Sequence, residues 1–315
     1  MRLRFRALAM AAVGALFALS MTGVAAAPAN AVGLPPCGLT CDDPLPPSPA
    51  GCSSAATGGT LALTLPDKSG VDRPFRLFVP SGLSGAAPLV VALHGGQDNP
   101  THFETATGWT AVAQSKKFIV AYPQGGKNDG AADKWAWEFS ASNPANDVPF
   151  LRSLVHAIGN DYCVNPKRVH FIGHSNGGQM TSRMACSASD LVASAAVWAG
   201  PSGAWDANDC PTTRKLSFGV MLNDNDPIVW QIVAEQHRDL WRTKDGCGAT
   251  PASETGTAVV KGERYSCASG TQVLYRLYHT TDDAAKAHLW PTPGSAAATD
   301  VNNRMWSLLN ANPLP

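Results

Sequence analysis

The chemistry in this chain starts with a serine. Gly173-His174-Ser175-Asn176-Gly177 follows the apolar run 169–172 (VHFI) and opens a stretch of helical character over 177–187. A serine on a tight strand-to-helix turn, flanked by small residues, is the nucleophile arrangement G-x-S-x-G. The plain alternative is a glycine-rich loop with an ordinary serine; the strand before and helix after argue against it. A serine hydroxyl needs a base within hydrogen-bond reach and a third group to orient that base. Where such a turn carries the nucleophile, the order along the chain is Ser, then Asp or Glu, then His, so the partners lie beyond residue 175. Asp226 ends Asn223-Asp224-Asn225-Asp226, just after the apolar run 216–222, and is the expected acid. Asp224 is its rival, and either aspartate would otherwise be a turn residue or a helix cap. For the base, His237 falls inside a predicted helix and is expected on its solvent face. His279 ends a predicted strand, and His288 lies in the loop 287–291 (AHLWP). A late loop can carry an imidazole over a sheet edge, so His288 is the expected base.

An acyl-transfer site also needs two backbone donors for the oxyanion. The Asn176 amide is one. His94-Gly95-Gly96 follows the early apolar run 88–93, and the Gly96 amide is the expected second, with Gln97 as alternative. His94 precedes the nucleophile and reads as structural. Trp137 and Trp290 stand near these loops as candidate substrate-binding indoles, the alternative being core packing. No H-E-x-x-H, phosphate loop or dinucleotide fingerprint is present, so no metal or cofactor is expected.

These residues need a scaffold. Runs at 60–65, 74–79, 88–93, 118–122, 169–172, 192–198, 216–222 and 273–278 read as strands. Several lack polar alternation, as in parallel strands buried on both faces. Helical stretches are predicted over 103–115, 148–162 with Asp147 as N-cap, 177–187, 227–242 with Pro227 in the first turn, and 299–309. Strands alternating with helices predict an α/β fold, a mostly parallel sheet with helices on both faces, as a single domain over 55–315.

The 315 residues carry 24 basic and 24 acidic side chains, with 44% hydrophobic and 15% charged. That balance argues against a nucleic-acid surface and against a disordered chain. Residues 1–31 read as a signal peptide: Arg2, Arg4 and Arg6, then an apolar run over 7–19, then Ala29-Asn30-Ala31 before the cut. The run is shorter than the ~20 residues of a spanning helix, so no membrane partner is expected. Residues 32–54, rich in Pro and Cys, read as an extended lead-in pinned to the domain. Eight cysteines in a chain bound for export suggest disulfides. Cys247–Cys267 and Cys163–Cys186 are pairings the spacing suggests, among many possible. A secreted, extracellular monomer is expected.

Together the motifs resemble a secreted esterase family containing polyhydroxybutyrate depolymerases and feruloyl esterases. The resemblance rests on LHGG at 93–96, WAWEF at 135–139, NDVPFLRSLV at 146–155 and DYCVNPKRVHFIGHSNGGQM at 161–180. CSASDLVASAAVWAG at 186–200, NDNDPIVW at 223–230 and AHLWP at 287–291 complete it. It implies an α/β-hydrolase fold and the assignments Ser175, Asp226 and His288. Members usually show His-Gly-Thr-x-Asp-Pro where this chain has Leu222-Asn223-Asp224-Asn225-Asp226-Pro227, and often a cysteine where Gly96 stands. The expected function is hydrolysis of a carboxylic ester, polyester or hydroxycinnamoyl, through an acyl-enzyme. A peptidase with the same triad and a non-catalytic binding protein on the same scaffold are the rivals.

Overall fold

Uninterrupted apolar runs fold into strands covered on both faces. The computed structural model describes residues 45, 47 and 58–315, apart from 132, 144, 145, 204–208 and 213. β1 (Gly59–Pro66), β2 (Asp72–Val79) and β3 (Ala87–Leu93) are followed by α1 (Pro100–Thr107), α2 (Trp109–Lys116) and β4 (Ile119–Pro123). A separate hairpin, β5 (Lys127–Ala131) and β6 (Lys134–Ala136), precedes α3 (Val148–Asp161), β7 (Val164–His174), α4 (Asn176–Ser187) and β8 (Ser194–Trp198). Then come β9 (Phe218–Asn223), α5 (Gln231–Asp245), β10 (Ala252–Ser253), β11 (Val259–Ser266), β12 (Gln272–Tyr278), α6 (Ala284–Ala287) and α7 (Ala296–Ala311).

One sheet runs in the order β1-β2-β4-β3-β7-β8-β9-β12-β11-β10. The centre, from β4 to β12, is parallel. Antiparallel pairs finish both edges. Alternate side chains serve opposite faces, as strand geometry requires. Leu89, Val91 and Leu93 of β3 join one core with residues of α3, α4 and α5. Val90 and Ala92 join the other with residues of α1, α2 and α7.

The strand order reverses between β3 and β7: β3 leads on to β4 on one side, β7 to β8 on the other. A crevice opens outside the carboxyl ends of strands at such a point, and ligands of open α/β sheets gather there. Leu93 pairs with Gly173, so the loops leaving β3 and β7 start at the same height.

Several local expectations are corrected. The predicted helix over 103–115 is two helices, because Gly108 adopts the left-handed conformation (φ 67°) between α1 and α2. Pro227 does not open α5, which starts at Gln231; residues 227–230 form a loop. Asp147 occupies the N-cap position of α3, but its carboxylate makes no cap bond. It pairs instead with Arg73 at 2.6 Å and accepts the Glu138 amide at 3.0 Å.

The Cys247–Cys267 bridge is present. Cys186 bonds Cys210, not Cys163, and Cys163 is itself disulfide-bonded. Length explains the failed pairing. The strand β7 climbs roughly 36 Å in its 11 residues while α4 returns only about 18 Å in its 12, so Cys186 stops well short of the level of Cys163. The expected leader at 1–31 lies outside the described residues, as does most of the lead-in. Leu45 of that lead-in is buried and packs where a Cβ on Gly159 of α3 would stand.

Candidate active site

Ser175 sits between β7 and α4 with φ 50° and ψ −120°, a conformation few side-chain-bearing residues adopt. Its amide donates to Trp198 O of β8 (3.1 Å). The flanking glycines are required by contact. A Cβ on Gly173 would lie 2.2 Å from Gly177 O, and one on Gly177 would lie 2.3 Å from His94 O and from Leu93 O. The turn therefore exists only because the two backbones touch, and it lifts the hydroxyl above the sheet.

That hydroxyl meets His288. Ser175 Oγ and His288 Nε2 are 2.9 Å apart. His288 Nδ1 lies 2.9 Å from Asp226 Oδ2 and 3.1 Å from Oδ1. With Asp226 accepting at Nδ1, the imidazole carries its proton there and leaves Nε2 to accept from the serine. The side chain of Asp226 is wholly buried. Burial alone would raise its pKa, but hydrogen bonds from His288 and from the Val229 and Ile228 amides outweigh burial and hold the carboxyl below its ordinary value. Those amides donate to Oδ1 at 2.9 and 2.8 Å, and the loop that replaces the first turn expected for α5 is what supplies them.

The rival residues pair with each other elsewhere. Asp224 is exposed and bonds His279 Nδ1 at 2.8 Å, and His279 also meets Asp282 at 2.9 Å. His237, expected at the solvent face of its helix, is fully buried. Its Nδ1 donates to Gly200 O (3.0 Å), and its Nε2 accepts from Trp241 Nε1 (3.3 Å), with Ser182 Oγ at 3.1 Å. Burial pushes its pKa down to about 4, so it stays neutral inside.

The loop after β3 lies over the nucleophile. A Cβ on Gly95 would stand 2.8 Å from His174 Nδ1 and 3.6 Å from the Ser175 Cβ. Gly96 and Gln97 follow, both exposed, Gln97 with φ 59°. Across the crevice, Asn176 is the first residue of α4, and its amide is one of the donors a helix N-terminus leaves without an intrahelical partner. Trp137 and Trp290 are not open platforms. Trp137 is 2% exposed and its Nε1 donates to His94 O (2.9 Å). Trp290 is 7% exposed, its Nε1 donates to Asn302 Oδ1 (3.1 Å), and it packs edge-on to Phe103.

Two supporting residues were missed in the sequence. His174 Nε2 donates to His288 O (2.7 Å); burial, reinforced by the neighbouring His288, lowers its pKa to about 4. Asn223 Nδ2 donates to Ala287 O (3.0 Å) and Thr280 Oγ1 (2.8 Å), while its Oδ1 accepts the Thr280 amide (2.9 Å). Both hold the loop bearing His288. The only sequence signal was position: one residue inside G-x-S-x-G, the other at a strand's carboxyl end.

The topology is that of the α/β-hydrolase fold, with Ser175, His288 and Asp226 meeting at the sheet rim. Residues 74–205 match the model of the family described as Esterase PHB depolymerase. Over 156 residues it is 33% identical to poly(3-hydroxyalkanoate) depolymerase C of Paucimonas lemoignei, covering 48% of this chain and 36% of that one. It is 32% identical over 120 residues to feruloyl esterase B of Piromyces equi, covering 37% and 22%. Acetylxylan esterase A of Talaromyces purpureogenus is 22% identical over 207 residues, covering 66% and 48%. The chain thus spans less than half the length of these relatives. The acetyl xylan esterase from Aspergillus awamori superposes with a TM-score of 0.61 at 16% identity, covering 80% of this chain and 99% of that one. A thermostable esterase gives 0.55 at 21%, covering 81% and 63%. At such identities the likeness is one of fold. No helix among the described residues is long and apolar enough to cross a membrane.

Proposed function

We propose that the chain is a secreted serine hydrolase of carboxylic esters that works through an acyl-enzyme. The observation that carries this reading is the continuous contact Ser175–His288–Asp226, 2.9 Å at each link. His288 Nε2 takes the Ser175 proton as Oγ bonds the ester carbonyl carbon. Asp226 keeps the proton on Nδ1 and stabilises the imidazolium. The Gly96 and Asn176 amides receive the oxyanion. The alcohol leaves with the proton that His288 returns, and the serine is acylated. Water, losing a proton to His288, then attacks the acyl carbon; collapse releases the acid and restores the hydroxyl.

The substrates in scope are polyesters of the polyhydroxybutyrate type and hydroxycinnamoyl esters of plant cell-wall sugars. Ile228 (66% exposed), Trp230 (65%) and Leu289 (52%) stand within a few residues of Asp226 or His288. Exposed apolar side chains flanking two members of the triad in sequence suit an aliphatic or aromatic acyl chain. The leader over 1–31 and the disulfides support export. The lead-in over 32–54 and a catalytic domain over 55–315 complete the proposed layout.

The test is a hydrolysis panel: polyhydroxybutyrate film, methyl ferulate, feruloylated arabinoxylan, short nitrophenyl esters and a peptide. Ester turnover with the peptide untouched is expected. Peptide cleavage without ester cleavage would overturn the reading.

A further inference from the structure

Trp137 touches both loops that carry the proposed oxyanion donors, and it does so with three separate polar groups. Its indole Nε1 donates to His94 O at 2.9 Å, two residues from Gly96. Its backbone amide donates to Asn176 Oδ1 at 2.6 Å, and its carbonyl accepts from Asn176 Nδ2 at 3.2 Å. The Asn176 side chain thus meets the Trp137 peptide groups as a strand neighbour would. His94 completes the bracket: its ring packs 5.1 Å from Trp137, and its Nε2 accepts the Gly125 amide at 3.0 Å. On the other side the two loops already touch, since a Cβ on Gly177 would lie 2.3 Å from His94 O.

A tryptophan needed only to fill the core would require its ring alone. Here a nearly fully buried residue links the segments that follow β3 and β7 and leaves no face open to a substrate. An oxyanion hole works because its donors are fixed before charge develops. We propose that Trp137 is a positioning residue that sets the spacing between the Gly96 and Asn176 amides, and so sets how strongly the site holds the tetrahedral oxyanion. This rests on the serine-hydrolase reading above.

The test compares wild type with Trp137→Phe and with a protein carrying 3-(3-benzothienyl)alanine at 137. The second replacement keeps the bicyclic shape, lacks the N–H, and gives a readout should the first fail to fold. Three quantities are measured: kcat and KM for a short nitrophenyl ester, and Ki for an alkyl trifluoromethyl ketone. That ketone adds to the serine and places an oxyanion in the hole. Formation and breakdown of the acyl-enzyme both pass through an oxyanion. Accordingly kcat should fall by roughly tenfold or more, below the ~10²–10³ of losing a donor outright. The ketone Ki should rise by the same factor, with KM within about twofold. Unchanged kcat and Ki in the benzothienyl protein, or a loss confined to KM, would overturn the proposal. A wild type that neither cleaves esters nor binds the ketone removes both readings. An active wild type with insensitive 137 variants removes only this one.

Discussion

At the scale of single residues, two aspartates two positions apart have opposite fates. Asp226 is buried, accepts two backbone amides and faces His288, whereas Asp224 is exposed against His279. Asp226→Asn should therefore lower kcat by roughly four orders of magnitude, since an amide in that place favours the wrong imidazole tautomer. Asp224→Asn should stay within a few-fold of wild type in the same steady-state assay. Equal losses in the two variants would refute the assignment. Sequence separated these residues only weakly, because the choice depends on how the 227–230 loop turns and not on local composition. Ser175 was legible because its whole signal is local: small residues on both sides, a strand before and a helix after. Trp137 was not, since its partners lie 39 and 43 positions away.

Among the elements, strands with apolar runs were readable, including β1 and β2 at one edge of the sheet, and those of polar or mixed composition were not. The parallel strands β3, β4, β8 and β9, and β7 over 169–172, are largely apolar runs. By contrast β11 (VVKGERYS) mixes exposed and half-buried positions, and β5 (KNDGA) has no apolar residue larger than alanine. Neither pattern was read as a strand. The inward face of α5 was misread for a related reason: Ala234, His237, Arg238, Trp241 and Asp245 point inward, and most of them are polar. The junction of β7 with α4 makes the sharpest prediction at this scale. Gly177→Ala puts a methyl 2.3 Å from two carbonyl oxygens of the neighbouring strand end, contact that neither backbone can relieve cheaply. The variant should lose more than about 3 kcal/mol in urea unfolding, the upper range for a point substitution, together with the proposed ester hydrolysis. Wild-type stability would show that the two loops are not in contact as described.

For the molecule as a whole, burial of imidazoles sets the response to acid. His94, His174 and His237 have pKa values pushed by burial from 6.5 to about 4, and His170 to about 3. Between pH 6.5 and 4 the unfolded chain binds protons that the folded one refuses, so stability must fall as pH falls through that window. Asp245 acts in the opposite sense: burial raises its pKa from 3.8 to about 6, so folding is favoured as it takes up its proton on acidification. Four imidazoles outweigh one carboxyl, and the urea midpoint should drop steadily from pH 7 to pH 4.5. A flat or rising midpoint would show that these rings titrate normally. The α/β class and mostly parallel central sheet were legible at this scale from the alternation of apolar runs and helical stretches. Of the two suggested disulfides, Cys247–Cys267 was legible and Cys163–Cys186 was not, because the latter depends on the relative rise of a strand and a helix.

The most direct measurement is the mass of the protein during turnover. Wild type quenched in acid while hydrolysing a slow nitrophenyl ester should carry one acyl group, on the peptide containing Ser175, after a burst of close to one nitrophenol per chain. Ser175→Ala should show neither burst nor adduct. Steady turnover at the wild-type rate by Ser175→Ala, or an acyl group on another residue, would contradict the account.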